Sequence, residues 1–202
     1  MHNGEPSGHL QRMSDRVQLS DEELMEALMA GDQAALRPLV ERHHANLLGF
    51  LYRMVGGDRR LAEDLVQDAF LRLIRQRTYA ASRPFKPWLY AIASNLARDH
   101  FRASGRHGEM IGEDALADLA DQRPGPEVIA LERDTNRRVA AAMAALGHEY
   151  RAALILRFFH DMSLESIAQT LGIPIGTVKS RLSVGTRRLR EQLANADSGV
   201  EG

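Results

Sequence analysis

Residues 163–193 read SLESIAQTLGIPIGTVKSRLSVGTRRLREQL, and this stretch predicts two helices joined by a tight turn. The apolar residues of its first half have the spacing of one helical face, at Leu164, Ile167, Ala168 and Leu171. Gly172 can form the turn, and Pro174 can open the next helix because the first helical positions need no N–H. A second apolar series follows at Val178, Leu182, Leu189 and Leu193. The pattern is that of a helix-turn-helix, whose second helix enters the major groove of DNA.

The second helix of this motif has two different sides on a helical wheel. The residues predicted to pack inward are Val178, Leu182, Gly185 and Leu189. Small or polar side chains that face base edges, flanked by cations that reach phosphates, are typical of a DNA-reading helix. The candidate contacts are Thr177, Lys179, Ser180, Arg181, Ser183, Val184, Arg187 and Arg188. Arg187 could pair with guanine and Val184 could touch a thymine methyl, while a solvated helix end is the other interpretation of the arginines.

Charge is unevenly distributed along the chain, although its formal net charge is only −1. Residues 174–193 contain five basic side chains and one acid, for a local charge of +4. Residues 105–127 contain six acids and two basic side chains, for a local charge of −4. A cationic helix can bind phosphates even when the net charge of the whole protein is close to zero. The other interpretation is that both charged segments are solvated surfaces without a binding role.

Composition excludes several classes of protein. The chain of 202 residues has no cysteine, which excludes disulfides and thiolate metal sites and fits a reducing compartment. No apolar run approaches the roughly 20 residues of a membrane span, and the polar N-terminus lacks a signal-peptide core. The eight histidines are scattered, and no phosphate-binding loop or nucleophile motif is present. We therefore expect a cytoplasmic protein that is not an enzyme and has no metal, cofactor or small-molecule substrate.

The helical periodicity and the absence of alternating strand patterns predict an all-α protein of two small domains joined by a flexible acidic linker. We expect a flexible tail at 1–19, a helical domain at 20–104, the linker at 105–127, a helix-turn-helix domain at 128–195 and a C-terminal tail at 196–202. In the first domain the helices are predicted at 20–30, 32–54, 61–77 and 85–102. Ser20 with Glu23 forms a capping box, and Asp58 can cap the third helix. Pro38 lies slightly too far inside the second helix and is expected to bend its first turn.

The fourth predicted helix, FKPWLYAIASNLARDHFR, is amphipathic. Its apolar stripe consists of Phe85, Trp88, Leu89, Ile92 and Leu96. The two aromatic residues on this stripe are therefore predicted to be core residues rather than base-stacking groups. The residues available to face outward are Ser94, Asn95, Arg98 and Arg102, which form either a nucleic-acid contact or a solvated face.

Three stretches together resemble bacterial sigma-70-family factors. They are AEDLVQDAFLRLIRQ at 62–76, F-x-x-W-L-x-x-I-A-x-N-x-x-x-D-x-x-R at 85–102, and S-x-x-x-I-A-x-x-L-G-x-P-x-G-T-V-K-S-R-L at 163–182. The chain is most similar to the extracytoplasmic-function (ECF) subgroup, which keeps two of the family's conserved domains, and the resemblance covers about residues 20–193. It implies a subunit of RNA polymerase that binds the core enzyme, selects promoters and promotes DNA opening.

The resemblance also implies a role for particular residues. Residues 62–76 would dock on the clamp helices of the largest core subunit, with Asp64, Gln67, Asp68, Leu71, Arg72 and Arg75 as contact candidates. The other interpretation of Leu71 is core packing, and the other interpretation of Arg72 and Arg75 is a solvated face. The loop at 77–83 would capture a flipped base of the minus-ten element, and the helix at 85–102 would read its upstream edge. The candidates there are Tyr79, Ser82, Arg83, Lys86, Asn95, Arg98 and Arg102.

The second domain would read the minus-thirty-five element through the helix-turn-helix and contact the polymerase flap. An anti-sigma factor would control the protein by covering its polymerase- or DNA-binding surfaces. Two other functions remain open from the sequence alone. One is a stand-alone helix-turn-helix regulator with a dimerisation or ligand-sensing first domain, and the other is an adaptor that captures another sigma factor's inhibitor.

Overall fold

The computed structural model describes residues 18–76, 79–80, 82–103 and 138–198. Its helices are α1 (Asp21–Met29), α2 (Leu36–Met54), α3 (Arg59–Arg75), α4 (Phe85–Ala103), α5 (His148–Phe158), α6 (Leu164–Leu171) and α7 (Ile175–Ser198). A 3-10 turn, Gln33–Ala35, precedes α2, and residues 138–144 are also helical. None of the described residues lies in a β-strand, so the predicted all-α fold is confirmed. The predicted linker at 105–127 lies outside the described residues.

Helix α1 begins at the predicted capping box and connects two other helices. The Ser20 N–H donates to the Glu23 carboxylate at 2.7 Å, and the Glu23 N–H donates to the Ser20 hydroxyl at 3.2 Å. Asp21 accepts from Arg42 at 2.8 Å and lies 2.6 Å from the His43 ring, both on α2. Glu22 accepts the Phe85 N–H at 2.8 Å, at the first residue of α4. Acidic side chains of α1 thus contact the side of α2 and the N-terminus of α4.

The predicted helix at 32–54 is divided in the structure. The Asp32 carboxylate accepts the Ala34 N–H at 3.2 Å and begins the 3-10 turn, so the α-helix starts only at Leu36. Pro38 therefore lies in the first α-helical turn, where backbone N–H groups have no intrahelical partner. The proline fits without a kink, and the predicted start of this helix was four residues too early.

The helix-turn-helix forms as the sequence predicts. The Ser163 hydroxyl caps α6 by accepting the Ser166 N–H at 3.1 Å. Gly172 ends α6 with φ +64°, a left-handed conformation that favours glycine. Helix α7 follows directly after Pro174, whose carbonyl accepts the N–H groups of Thr177 and Val178. The Val178 side chain is fully buried.

The two halves of the molecule pack against each other. Helix α5 lies on α2, and α6 lies across α4, so buried residues of both halves form one continuous core. A buried arginine, Arg151 on α5, joins them: its guanidinium donates to the Met54 carbonyl at 2.6 Å, to the Leu146 carbonyl at 2.9 Å and to the Ala144 carbonyl. Met54 is the last residue of α2, so this bond crosses between the halves.

Replacing Arg151 by methionine should lower the free energy of unfolding by about 1–3 kcal/mol, because buried carbonyls would lose their donor. Urea unfolding followed by circular dichroism measures the change. Arg37→Met is the matched control, since Arg37 is exposed and pairs with Glu41 on the same helix. Equal stability of the two variants would show that the carbonyls do not depend on this guanidinium.

Candidate functional site

The predicted polymerase-docking residues lie on one exposed face of α3. All six have exposed side chains: Asp64, Gln67, Asp68, Leu71, Arg72 and Arg75. Core packing is therefore excluded for Leu71, which is 38% exposed. Ile74 on the same helix is 44% exposed and was missed by the sequence reasoning. Two exposed large apolar side chains beside charged ones suit a protein-docking surface better than a merely solvated face.

The burial of side chains along α7 agrees with the helical-wheel prediction. Val178 and Gly185 are buried, and Leu182 and Leu189 pack partly buried against the core. On the outward side, Thr177, Arg181 and Val184 are half-buried. The other candidates are exposed, and they are Lys179, Ser180, Ser183, Arg187 and Arg188. The structure thus presents a largely cationic surface on the helix that the motif assigns to DNA.

The arginines of α7 differ in what they touch. Arg187 lies 3.8 Å from Glu191, one turn on, and both side chains are more than 60% exposed. This pair is weak and leaves Arg187 free to exchange partners. The Arg188 guanidinium lies over the Tyr150 ring, 4.7 Å from its centroid, and so packs against α5 of its own domain. Arg181 faces the other half of the molecule, where it lines a cleft.

Gly185 permits a close approach between α7 and α5. A Cβ at this position would lie 3.2 Å from Leu154 Cδ1 and 3.3 Å from Tyr150 Cβ. A larger residue would push α7 away from α5. By contrast, a Cβ at Gly176, near the start of the same helix, would meet nothing within 4 Å.

Helix α4 carries the predicted apolar stripe, and all five of its residues are buried. Phe85 and Trp88 are core residues, as predicted. Ser94 was expected to be available at the surface, but it is only 5% exposed and lines a cleft together with His148 of the second domain. The three outward candidates Asn95, Arg98 and Arg102 are exposed and line a cleft of about 860 Å³. The second domain lines the same cleft with residues between 145 and 152, with residues 170–173 and with Arg181.

The predicted base-capturing loop is partly folded onto the core. The Tyr79 ring lies 5.0 Å from the Trp88 ring, and its hydroxyl donates to the Arg83 carbonyl at 2.5 Å. Burial, followed by nearby acids, raises the pKa of Tyr79 to about 12. Ser82, Arg83 and Lys86 have exposed side chains. Tyr79 therefore covers Trp88 in this arrangement, and stacking of a base on Tyr79 remains a prediction.

Two histidines that the sequence reasoning set aside lie where the halves meet. The Nδ1 atom of His160 lies 3.0 Å from the Tyr90 hydroxyl, and its ring packs edge-on against Phe50. Burial, reinforced by the nearby Arg53 and Lys86 cations, lowers the pKa of His160 to about 4, so the ring is neutral at pH 7. Burial also lowers the pKa of His148, which packs against Phe101 of α4. Scattered histidines carry no sequence pattern that could have marked these positions.

Comparison with known proteins identifies the family. Residues 39–107 match Sigma-70 region 2, and residues 136–189 match Sigma-70, region 4. The ECF RNA polymerase sigma factor SigE of Mycolicibacterium smegmatis is 36% identical over 198 residues, which span 94% of this chain and 76% of that protein. The chain belongs to the ECF group of the sigma-70 family. Sigma factors bind core RNA polymerase and promoter DNA, and the predicted family membership is confirmed.

Two solved structures resemble this sigma factor over most of its length. CnrH, in complex with the cytosolic domain of CnrY, is 26% identical with a TM-score of 0.64, and the match covers 88% of this chain and 98% of CnrH. The sigma factor RpoE of Bartonella quintana, in complex with the anti-sigma factor NepR, is 26% identical with a TM-score of 0.61. That match covers 78% of this chain and 96% of the other.

Within residues 18–76, 79–80, 82–103 and 138–198 of this sigma factor, no group of three or more His, Asp or Glu side chains is arranged to hold a metal ion. In the same part of the chain, no helix combines the length and apolarity that crossing a membrane requires.

The close packing at Gly185 can be tested by comparing two glycine substitutions in α7. Gly176→Ala should raise the free energy of unfolding by up to about 0.5–1 kcal/mol, because alanine is the better helix former. Gly185→Ala should gain less or lose stability, since its methyl group crowds Leu154 and Tyr150. Urea unfolding measures the free energy of unfolding of both variants. Equal increases would mean that α7 and α5 can move apart at residue 185 without loss of stability.

Proposed function

We propose that this sigma factor docks on core RNA polymerase through the exposed face of α3. The observation that carries the proposal is the combination of exposed Leu71 and Ile74 with Asp64, Asp68 and Arg72 on that helix. Apolar side chains provide the buried area of a contact, and flanking charges provide its specificity. The clamp helices of the largest polymerase subunit are the expected partner of this face, and the flap is the expected partner of the second domain.

The first domain is proposed to open the promoter at the minus-ten element. Opening a duplex costs stacking energy, and the protein offsets it by binding the unstacked strand more tightly than the duplex. Asn95, Arg98 and Arg102 lie on one exposed side of α4, where they can contact that strand. Tyr79 with Ser82 and Arg83 would receive an unstacked base, and stacking on an aromatic ring contributes about 1–3 kcal/mol.

The second domain is proposed to read the minus-thirty-five element through α7. Its outward candidates combine hydroxyls, which contact base edges, with the cations Lys179, Arg181 and Arg187, which reach phosphates or guanine. Two weak DNA-reading modules in one chain gain from effective concentration when both sites can be engaged together. Mounting both on polymerase would fix the spacing of the two promoter elements.

Control by an anti-sigma factor is part of the proposal. Bartonella quintana RpoE, which resembles this chain in structure, is bound to the anti-sigma factor NepR. The exposed face of α3 and the outward side of α7 offer such an inhibitor surfaces to cover. The proposed role requires no catalytic residue, cofactor or small-molecule substrate, and it places the protein with RNA polymerase in the cytoplasm.

Transcription in vitro with purified core polymerase tests the function directly. We expect initiation at specific sites on bacterial genomic DNA only when the sigma factor is added. Mapping the start sites and aligning their upstream regions would give both promoter elements at once. Tight binding of duplex DNA by the free protein, with no effect on core polymerase, would instead support a stand-alone regulator.

Reversing a charge on the α3 face should impair core binding. Asp68→Arg is expected to weaken association with core polymerase about tenfold, a loss of about 1.4 kcal/mol, while the far-ultraviolet spectrum stays unchanged. A pull-down titration measures the affinity. Glu41→Arg reverses an exposed acid on α2 and should bind normally. Normal binding by both variants would rule out this docking face.

Removing a cation from the outward side of α7 should impair promoter recognition alone. Arg187→Ala is expected to lower initiation roughly tenfold, because the loss of a base contact costs about 1–3 kcal/mol. Core binding should be retained. The control is Arg37→Ala, which breaks a comparable exposed pair with a glutamate four residues on. An equal loss of core binding by Arg187→Ala would show that this arginine is structural.

A further inference from the structure

We infer that the cleft between the two domains is a binding site for a nucleotide. The cleft has a volume of about 860 Å³, which lies within the range of roughly 300–1,000 Å³ that is typical of small-molecule sites. Four arginines and one acid line it, so its walls carry a formal charge of +3. A ligand that fits a site of this size and charge is a small molecule with several negative charges.

The arginines of the cleft come from both domains. Arg98 and Arg102 lie one helical turn apart on α4, and Arg181 lies on α7. The pair between Arg98 and Asp99 spans 3.8 Å at the surface and is therefore weak. Neither Arg102 nor Arg181 pairs with an acid of the described residues. Guanidinium groups bind phosphates through paired, charge-assisted hydrogen bonds, so this arrangement favours a phosphorylated ligand.

The N-terminus of α5 lies on the same wall. Gly147, His148 and Glu149 line the cleft, and Gly147 is an N-cap residue without a side-chain hydrogen bond to the helix. The partial positive charge and the unpaired N–H groups of such a helix end attract phosphates. The Glu149 carboxylate lies beside Gly147 and would repel a phosphate there, so the acid opposes the arginines.

Two buried polar atoms on this wall have no hydrogen-bond partner among the described residues. They are Nε of Arg151 and Nε2 of His148, and both residues line the cleft. The Arg151 side chain is only 5% exposed, and its other guanidinium nitrogens donate to backbone carbonyls. Buried polar groups of folded proteins are nearly always paired. These two atoms therefore indicate a polar ligand close to the start of α5.

The cleft also has an apolar portion. Leu171 and Ile173, at the turn between α6 and α7, line it with half-buried side chains, and so does Phe101 of α4. Small-molecule sites typically combine apolar walls, which bury the ring system of a ligand, with a few charged groups that orient it. A nucleotide has both parts, because its base is flat and weakly polar and its phosphates are strongly anionic.

A nucleotide in this cleft would compete with promoter DNA. Arg98 and Arg102 are candidate contacts to the minus-ten strand, and Arg181 is a candidate contact to the minus-thirty-five element. A ligand that occupies all three arginines of the free protein would lower its affinity for promoters, because only the unoccupied form could bind them. This consequence rests on the proposed function, whereas the binding itself does not.

Isothermal titration calorimetry of the full chain with ATP, in buffer without divalent cations, tests the site. We expect one ATP per chain with a Kd below about 1 mM. Inorganic triphosphate has the phosphates but no ring system, so it should bind at least about tenfold more weakly. Absence of saturable binding up to about 10 mM ATP would overturn the inference, and so would equal affinities for the two ligands.

Single substitutions locate the site. Arg102→Ala and Arg181→Ala remove one cation from each domain, and each should weaken ATP binding about tenfold. Arg190→Ala removes an exposed cation of α7 that does not line the cleft, and it should bind ATP as the parent protein does. Glu149→Gln removes the opposing carboxylate and should tighten binding. An unchanged affinity in either cleft arginine variant, or an equal loss in Arg190→Ala, would contradict a site between the domains.

The phosphates of a DNA strand have the same chemistry, so a single-stranded thymidine oligonucleotide is the second ligand of the test. Its binding should depend on Arg102 and not on Arg181. If the oligonucleotide needs both arginines while ATP needs neither, the cleft arginines serve DNA and the inference is overturned. These measurements need neither core polymerase nor a promoter, so their outcome is independent of whether the proposed function is correct.

Discussion

One buried guanidinium joins the two domains at the ends of their helices. Arg151 is 5% exposed, and burial lowers its pKa to about 10, so it keeps its charge at neutral pH. Its hydrogen bonds go to backbone carbonyls at the C-terminal ends of α2 and of the helical stretch 138–144. Helix C-termini carry partial negative charge, and a cation between two of them relieves their repulsion. This contact joins α5 to the end of α2, and the His160 loop and α6 pack on α4 of the same domain.

Helix α4 has three sides with different surroundings. One side of it forms the core of the first domain, a second side supports the helix-turn-helix domain, and a third side carries Asn95, Arg98 and Arg102. A helix buried on two sides is rigid, and such a surface would bind a flexible single strand, its proposed ligand, with little loss of its own entropy.

Local features of the fold were predictable from the sequence because they depend on neighbouring residues. The Ser20 cap, the Gly172 turn and the apolar stripes of α4 and α7 are of this kind. The contact between the domains was not predictable. Arg151 donates to the Met54 carbonyl, which is 97 residues away in the sequence. An arginine within a helical pattern is expected to be exposed to solvent, and nothing local indicates such a distant partner. Ser94, Ala93 and Ala97 suit a wet surface as well as a close helix crossing, so periodicity alone could not distinguish the two.

The hydrogen bond from the Phe85 N–H to Glu22 has a practical consequence for anyone who divides this protein into modules. The match to the region 2 family begins at residue 39, whereas Glu22 lies before it on α1. A fragment or chimera cut at the family boundary would leave the first backbone amide of α4 without its acceptor and would also discard the Asp21 partner of Arg42 and His43. The structural unit of this sigma factor is therefore longer than the segment that matches the family, and grafting experiments should include the acidic N-terminal helix.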